Sequence, residues 1–255
     1  MNPPNGSIDI SFFVPCYNEE KNIIATLAKL TEVLKSFSLT YEILVFDDAS
    51  TDQSCSLIKK FQKKSAPISI RLFRNANNYG LGFNYIEGSY HARGQHYMLV
   101  NGDNAETPES IAMLLRKIGS AEMIIPYMQA NDVRGFVRSN LSRLFSLLVN
   151  TITGHSIIYY NGPVIHQTAK VIRWHPMTCG YAYQAELVSL LLDHGTSYLE
   201  VKINHNDREH GTSKAFKLKN VLSICHSLVQ MICRRTRNEL WPNHKKAYLS
   251  EEEEA

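Results

Sequence analysis

Ile43-Leu44-Val45-Phe46-Asp47-Asp48-Ala49-Ser50-Thr51-Asp52-Gln53 holds the pattern from which the rest of this chain can be read. The unbroken apolar run Ile43 to Phe46 suits a strand buried on both faces, as strands of parallel sheets are. Two carboxylates end it. Ser50-Thr51-Asp52-Gln53 then reads as a capping box opening a helix that carries Leu57, Ile58 and Phe61. On the N-terminal side, Ile8, Ile10, Phe12 and Val14 alternate as a strand, and Pro15-Cys16-Tyr17-Asn18 breaks it. Ile23, Ile24, Leu27, Leu30 and Leu34 follow at helical spacing, with Asn18 as the expected cap and Glu19 and Glu20 in an acidic first turn. On the C-terminal side, Ile68 to Phe73 reads as a third strand, followed by a polar loop and a helix from about Leu81 to His91. A fourth strand, Tyr97 to Val100, runs into Asn101-Gly102-Asp103. Thr107 then caps a helix with Pro108 at its first position and Ile111, Leu114, Leu115 and Ile118 as its buried stripe. Four strand-then-helix units predict an α/β fold with a mainly parallel sheet and helices on both faces. Such sheets bind ligands at the carboxyl ends of their strands.

Beyond residue 125 the spacing predicts helices near Ser139 to Asn150 and Tyr183 to Asp193, beside apolar segments at Ile157 to Tyr160 and Tyr198 to Ile203. A last amphipathic helix, about Phe216 to Arg234, ends in Arg234, Arg235 and Arg237. Leu218, Val221, Leu222, Cys225, Leu228, Val229 and Ile232 give it an apolar stripe, consistent with a membrane face, with packing on the domain or with a contact between copies.

The 255 residues suffice for one large domain with a full core. The formal charge is +3, and without the terminal Glu251 to Glu254 run it is +7. A mildly basic body suits anionic ligands such as phosphates, or an anionic membrane surface; no nucleic-acid partner is expected. Five scattered cysteines with no C-x-x-C pair argue against a disulfide framework or zinc site and for a reducing compartment. The polar start, Met1 to Ser7, does not read as a signal peptide, and none is expected. The longest apolar stretch, Leu141 to Tyr160, contains Arg143, Asn150 and His155 and reads as a packed helix and strand rather than a span. The expectation is a cytoplasmic protein without a transmembrane segment.

Three polar clusters carry chemistry. Asp47 and Asp48, beside Tyr17 and Glu19 on the neighbouring loop, can accept from a base N–H and sugar hydroxyls while Tyr17 offers a stacking face; the same pair could equally cap the next helix. Asn101 and Asp103 stand two apart after the fourth strand and form the second cluster. Arg208-x-x-Gly211-x-Ser213-Lys214 combines a close backbone approach with charge-assisted donors, as a phosphate requires, although a solvated basic turn has the same composition. No H-E-x-x-H, P-loop or complete G-x-G-x-x-G is present.

The series Val14-Pro15-Cys16-Tyr17-Asn18-Glu19, Asp47-Asp48-Ala49-Ser50-Thr51-Asp52, Gly80-Leu81-Gly82-Phe83-Asn84 with Gly88, Asn101-Gly102-Asp103 with Pro108-Glu109, Gln184-Ala185-Glu186 and Arg208 to Lys214 resembles family 2 glycosyltransferases of the GT-A fold. Within them it is similar to the dolichyl- and polyprenyl-phosphate sugar transferase branch. The resemblance covers about residues 8 to 215. It implies a GT-A domain over 8–215, to which composition and spacing add a flexible 1–7, a helical extension over 216–249 and a disordered acidic tail over 250–255. It implies a nucleotide pocket of Pro15, Tyr17, Asn18, Glu19, Asp47, Asp48, Gly80, Asn101 and Asp103. Mg²⁺ or Mn²⁺ would sit at Asp103 and Asn101. Arg138, Arg208, Ser213 and Lys214 would meet the phosphates or acceptor, and Asp103, Glu186, Arg208 and Lys214 would serve catalysis.

Two departures stand out. Asn101 replaces the first acid of the family's D-x-D, and Ala105 stands where the branch often has a polar residue; Glu106 could compensate. The Glu-Asp pair that usually heads the helix at Tyr183 is also missing, which removes the base a hydroxyl acceptor needs and favours a phosphate acceptor. The implied partners are a nucleotide-diphosphate sugar and a polyprenyl phosphate at an inner membrane face, or a glycan hydroxyl, with a homo-oligomer left open. The alternatives are a degenerate nucleotide-sugar-binding protein of the same fold, and a nucleotidyltransferase, whose Gly-rich basic loop is missing after the first strand.

Overall fold

The computed structural model describes residues 8–65, 68–128, 136–176, 178–203 and 218–240. Seven strands form one sheet: β1 (Ile8–Cys16), β2 (Tyr41–Asp47), β3 (Ile70–Arg74), β4 (Gly94–Leu99), β5 (Met123–Tyr127), β6 (Ile165–Gln167) and β7 (Tyr198–Lys202). Their order is β3-β2-β1-β4-β6-β5-β7. β1 pairs parallel with β2 and β4, and β2 with β3, so these four carboxyl ends share one edge. β6 runs antiparallel to both β4 and β5, and β7 returns parallel to β5.

The helices are α1 (Ile23–Leu34), α2 (Ser54–Lys64), α3 (Leu81–His91), α4 (Pro108–Leu115), α5 (Phe136–Thr153), α6 (Thr168–Arg173), α7 (Tyr183–Asp193) and α8 (Leu218–Leu240). Alternation along β1 divides the core. Ile10, Phe12 and Val14 pack with Leu27, Leu30 and Leu114 on one face, while Phe13 packs with Tyr85, Tyr97 and Leu187 on the other. The helices therefore cover both faces, as the pattern predicts.

Two expected caps are displaced. α1 begins at Ile23, not after Asn18, and α2 begins at Ser54 without the expected capping box. The reason is that the Asn18 and Ser50 side chains, which would cap these helices, instead bond backbone N–H groups across the two loops. The Ser-Thr-Asp-Gln pattern is satisfied partly from outside: Gln53 N donates to Glu20 Oε2 at 3.0 Å and Ser54 N to Asp52 Oδ1 at 2.9 Å. Thr107 does cap α4, accepting from Ser110 N at 3.1 Å with Pro108 at the first position.

The Ile157–Tyr160 segment is no strand. It is held by the Asn150 side chain, which donates to Ile157 O and accepts from Ile157 N and the Tyr160 hydroxyl. β5, β6 and α6 are elements the sequence reading lacked, and α8 extends to Leu240, past the expected Arg234. No helix among the described residues is long and apolar enough to cross a membrane. The expected N-terminal and acidic tails lie outside the described residues.

Candidate active site

The first loop of the carboxyl edge is stitched to the second. Asn18 N donates to Ser50 Oγ, Glu19 N to Ser54 Oγ and Glu20 N to Asp52 Oδ2, at 2.9–3.0 Å. Thr51 N returns a bond to Asn18 Oδ1 at 2.8 Å. Asn18, Ala49 and Asn104 have φ of 57°, 62° and 63°, the three non-glycine residues with positive φ among those described, one in each loop after β1, β2 and β4. Asparagine adopts left-handed backbone readily, but an alanine is held there only where the surroundings over-determine it, as the bonds around Ala49 do. The edge is therefore built as a rigid frame, and Asn18, expected in the nucleotide pocket, has its carbonyl oxygen taken up by that frame.

The two adjacent carboxylates separate in role. Asp48 accepts from Tyr79 N, Gly80 N and Asn75 Nδ2 at 2.8–2.9 Å, so it pins the loop that enters α3. Burial would raise its carboxyl, but the bonds from Asn84, Tyr79, Asn75 and Gly80 outweigh this and hold it below the usual carboxylate range. Gly80 donates to Asp48 and occupies φ 88°, ahead of α3. Asp47 is fully buried; its Oδ1 accepts from Ser50 N at 3.0 Å, and its Oδ2 lies 3.5 Å from Arg74 Nε. A cleft of about 480 Å³ opens beside it, lined by Ala49, Ser50, Thr51, Arg74, Asn75 and Ala76. Tyr17 is 40% exposed at the end of β1, after the half-buried Pro15, and Glu19 bonds Asn22 Nδ2 through its carboxylate.

The loop after β4 brings together Asn101, Asp103 and Glu106. Gly102 permits this, because a Cβ there would lie 2.3 Å from Pro15 O. Asn101 Nδ2 donates to Glu106 Oε1 at 2.6 Å, and Ala105 N donates to Asp103 Oδ1 at 3.3 Å. Lys29 Nζ bonds the carbonyls of Asn104 and Glu106 from α1. Glu106 is 2% exposed and its Oε2 has no hydrogen-bond partner. Burial, with the Asp103 charge adding to it, pushes the Glu106 carboxyl up to about 7, against the Asn101 bond and the Lys29 charge. These donors are all hard oxygens, which suits Mg²⁺ or Mn²⁺. Among the described residues no group of three His, Cys, Asp or Glu could hold a metal ion. Asp103 and the Asn101 carbonyl would hold such a cation, which would neutralise charge on a bound phosphate.

On the other side of the sheet, Gly82 sets α3 against the segment before α7, where a Cβ would meet Cys179 O at 2.5 Å. Glu186, in the first turn of α7, is 3% exposed and accepts a short bond from Thr178 Oγ1, which in turn lies 2.7 Å from Ser227 Oγ of α8. Gln184 bonds Gly162 O. Arg208, Ser213 and Lys214 lie outside the described residues, as does the side chain of Arg138 in the first turn of α5. Arg74 and Asn75 are residues the sequence reading missed, and Asn84 stood in a quoted motif without a role. Parallel register was the available signal for Arg74, since the last residue of β3 pairs with Asp47.

Residues 11–177 match the Glycosyl transferase family 2 model. The undecaprenyl-phosphate 4-deoxy-4-formamido-L-arabinose transferases of Salmonella choleraesuis (strain SC-B67) and Salmonella newport (strain SL254) are each 24% identical over 227 residues, 86% of this chain. The chain spans 66% of the length of these relatives. Among solved structures, the mannosyltransferase PcManGT from Pyrobaculum calidifontis in complex with GDP-Man and Mn²⁺ superposes with a TM-score of 0.64 at 15% identity, covering 91% of this chain and 65% of that one. Glucosyl-3-phosphoglycerate synthase from Mycobacterium tuberculosis, with Mn²⁺, UDP and glucosyl-3-phosphoglycerate, gives 0.63 at 16% identity, covering 89% and 80%. These likenesses carry the fold, which is of the GT-A type.

Proposed function

Because the chain belongs to glycosyl transferase family 2, we propose that it transfers a sugar, with inversion, from a nucleotide-diphosphate donor to a polyprenyl phosphate. The observation that carries the choice of acceptor is the condition of Glu186. It is the acid in the first turn of α7, and it is buried and bonded to Thr178. A hydroxyl acceptor needs a base to remove its proton, whereas a phosphate oxygen is already anionic near neutral pH and attacks without one. Glu186 therefore acts as a positioning residue between α7 and α8, not as the base. The curated relatives, named as undecaprenyl-phosphate transferases, support the same class of acceptor.

In this reading the phosphate oxygen forms a bond to the anomeric carbon as the bond to the donor's diphosphate breaks, and the nucleoside diphosphate leaves. Asp47 and Tyr17 take the base at the cleft between the loops after β2 and β3, with Arg74 moving off the Asp47 carboxylate to admit it. Arg208, Ser213, Lys214 and Arg138 serve the phosphates. Mg²⁺ or Mn²⁺ at Asp103 and Asn101 would neutralise charge on the leaving diphosphate. Exposed leucines on α5 and exposed apolar residues on α8 support peripheral association with the membrane that holds such an acceptor.

The test is transfer from UDP-, GDP-, CDP- and dTDP-sugars to undecaprenyl phosphate in detergent micelles, with free undecaprenol as the control acceptor and mass spectrometry of the lipid product. Glycosylated undecaprenyl phosphate from one donor, with undecaprenol untouched, is the expected result. Glycosylation of undecaprenol or of glycan hydroxyls alone would overturn the acceptor assignment. Nucleotide binding without transfer to any acceptor would favour the degenerate binding protein.

A further inference from the structure

The loop after β4 contains an acid that the motif pattern does not assign. Glu106 is buried, it faces Asn101 at 2.6 Å, and one of its carboxylate oxygens has no hydrogen-bond partner. Asn101 turns its NH₂ to the other oxygen, and only an NH₂ can donate to a carboxyl oxygen that carries no proton. The Asn101 amide is planar, so with its nitrogen turned inward its carbonyl oxygen is presented on the opposite side. Free rotation would otherwise let Asn101 offer either end.

We propose that Asn101 and Glu106 form an exchanged pair in which Glu106 is a positioning residue: it fixes the Asn101 amide so that the carbonyl oxygen joins Asp103 as a ligand for the diphosphate's cation. The negative charge usually found at position 101 is kept one layer behind it. This rests on the cation site of the proposed function. It has a consequence that a simple loss of the first acid lacks. Restoring that acid by Asn101→Asp places two carboxylates 2.6 Å apart in a buried site, and like charges there are costly. The ordinary acid is tolerated only when Glu106 is neutralised as well.

The experiment is a double-mutant cycle on full-length protein with Asn101→Asp, Glu106→Gln and the pair together. Two quantities are read: Mn²⁺ affinity by electron paramagnetic resonance, with whichever of UDP, GDP, CDP or dTDP the wild type binds most tightly, and Tm of the metal-free protein. Glutamine carries no charge and can turn either end to Asn101, so E106Q no longer fixes which end of that amide faces the cation; losing a partner that orients a metal ligand costs about 10–100-fold in affinity, and E106Q weakens Mn²⁺ binding by at least about tenfold. N101D/E106Q returns the affinity to near the wild-type value. N101D alone lowers the metal-free Tm by several degrees, and adding E106Q restores it. Unchanged Mn²⁺ affinity in E106Q, or purely additive effects of the two substitutions, overturns the pairing while leaving the cation site standing. A wild-type protein that binds no Mn²⁺ with any of the four diphosphates overturns the cation site, and this role of the pair with it.

Discussion

Asp47 and Asp48 are neighbours in sequence, but their side chains do different work, and strand geometry says why. Successive residues at a strand end point to opposite sides. Asp47 meets Ser50 and Arg74 at the cleft, while Asp48 turns to the amides of Tyr79 and Gly80. Asp48→Asn keeps the shape but loses the charge that three donors address. It should cost about 1.5–3 kcal/mol of folding stability, read in denaturant unfolding, since hydrogen bonds to charged groups are of that size. Its pH dependence has a definite sign. A carboxylate held below its ordinary value contributes stability above that value and loses it as pH falls through the lower, folded one, so the variant's deficit should shrink in acid. Asp47→Asn should instead weaken nucleotide binding, read by titration calorimetry, with a smaller effect on folding. The same outcome from both substitutions would contradict this division. The sequence alone offered Asp47 and Asp48 as one pair, either ligands or caps, because a motif records residue type and spacing but not which neighbour supplies the donors. The family resemblance offered Asn101 and Asp103 as a cation pair; the inward aim of Glu106 was not legible, since nothing in its spacing distinguishes a buried acid from a solvated one.

At the scale of elements, legibility follows the strength of the local pattern. The helix at Leu81–His91 and the helix at Tyr183–Asp193 begin and end where their spacing predicts, and Thr107-Pro108 opens α4 as its chemistry requires. β6 has three residues, too few for any period to show, and its antiparallel pairing with β4 is a tertiary choice. The missed starts of α1 and α2 have a similar origin, because the residues that satisfy their loops come from 30 or more positions away. The C-terminal helix shows a comparable long-range dependence. Arg234 of α8 bonds Asp193 Oδ2 at 3.0 Å and Ser189 Oγ at 2.7 Å, while His155 bonds the other Asp193 oxygen at 2.9 Å. Burial would raise the Asp193 carboxyl, but the His155 bond and the Arg234 charge together hold it below the usual range. The clamp's Asp193 contribution is therefore present above the ordinary value of 3.8 and lost as pH falls below it. Asp193→Asn leaves the Arg234 guanidinium, only 10% exposed, without its charge partner. The expected cost is about 1–3 kcal/mol, between the values for exposed and fully buried pairs. Hydrogen exchange should show the loss of protection concentrated in α8 and the end of α7. Uniform loss across the sheet would mean that the clamp belongs to the global core rather than to the docking of one helix.

For the whole molecule, the sheet places every described candidate ligand of the nucleotide at one edge, and the helices α5 and α8 pack against each other. Both leave apolar side chains in solvent: Leu144, Leu147 and Leu148 on α5 are 50%, 61% and 44% exposed, and Leu222, Val229 and Ile232 on α8 are 61%, 53% and 48% exposed. Single exposed leucines are ordinary, but stripes on two adjoining helices mark a surface that something covers. Two occupants fit such stripes, a lipid surface and a second copy of the chain, and they differ in their response to lipid charge. The basic balance of the chain, with Arg235 and Arg237 exposed on α8, favours an anionic surface. The protein should therefore sediment with vesicles of phosphatidylglycerol and phosphatidylcholine, and less with phosphatidylcholine alone, and added salt should weaken binding only in part because the apolar contribution is unscreened. Leu222→Gln with Ile232→Gln removes two insertions worth about 1 kcal/mol or more each at partial depth, so vesicle affinity should fall at least about tenfold while Tm changes little. If the wild type ignores vesicles and elutes at twice its mass, with L222Q/I232Q returning it to a monomer, the stripes serve a contact between copies. Access to a membrane-held acceptor would then have to come from elsewhere on the molecule.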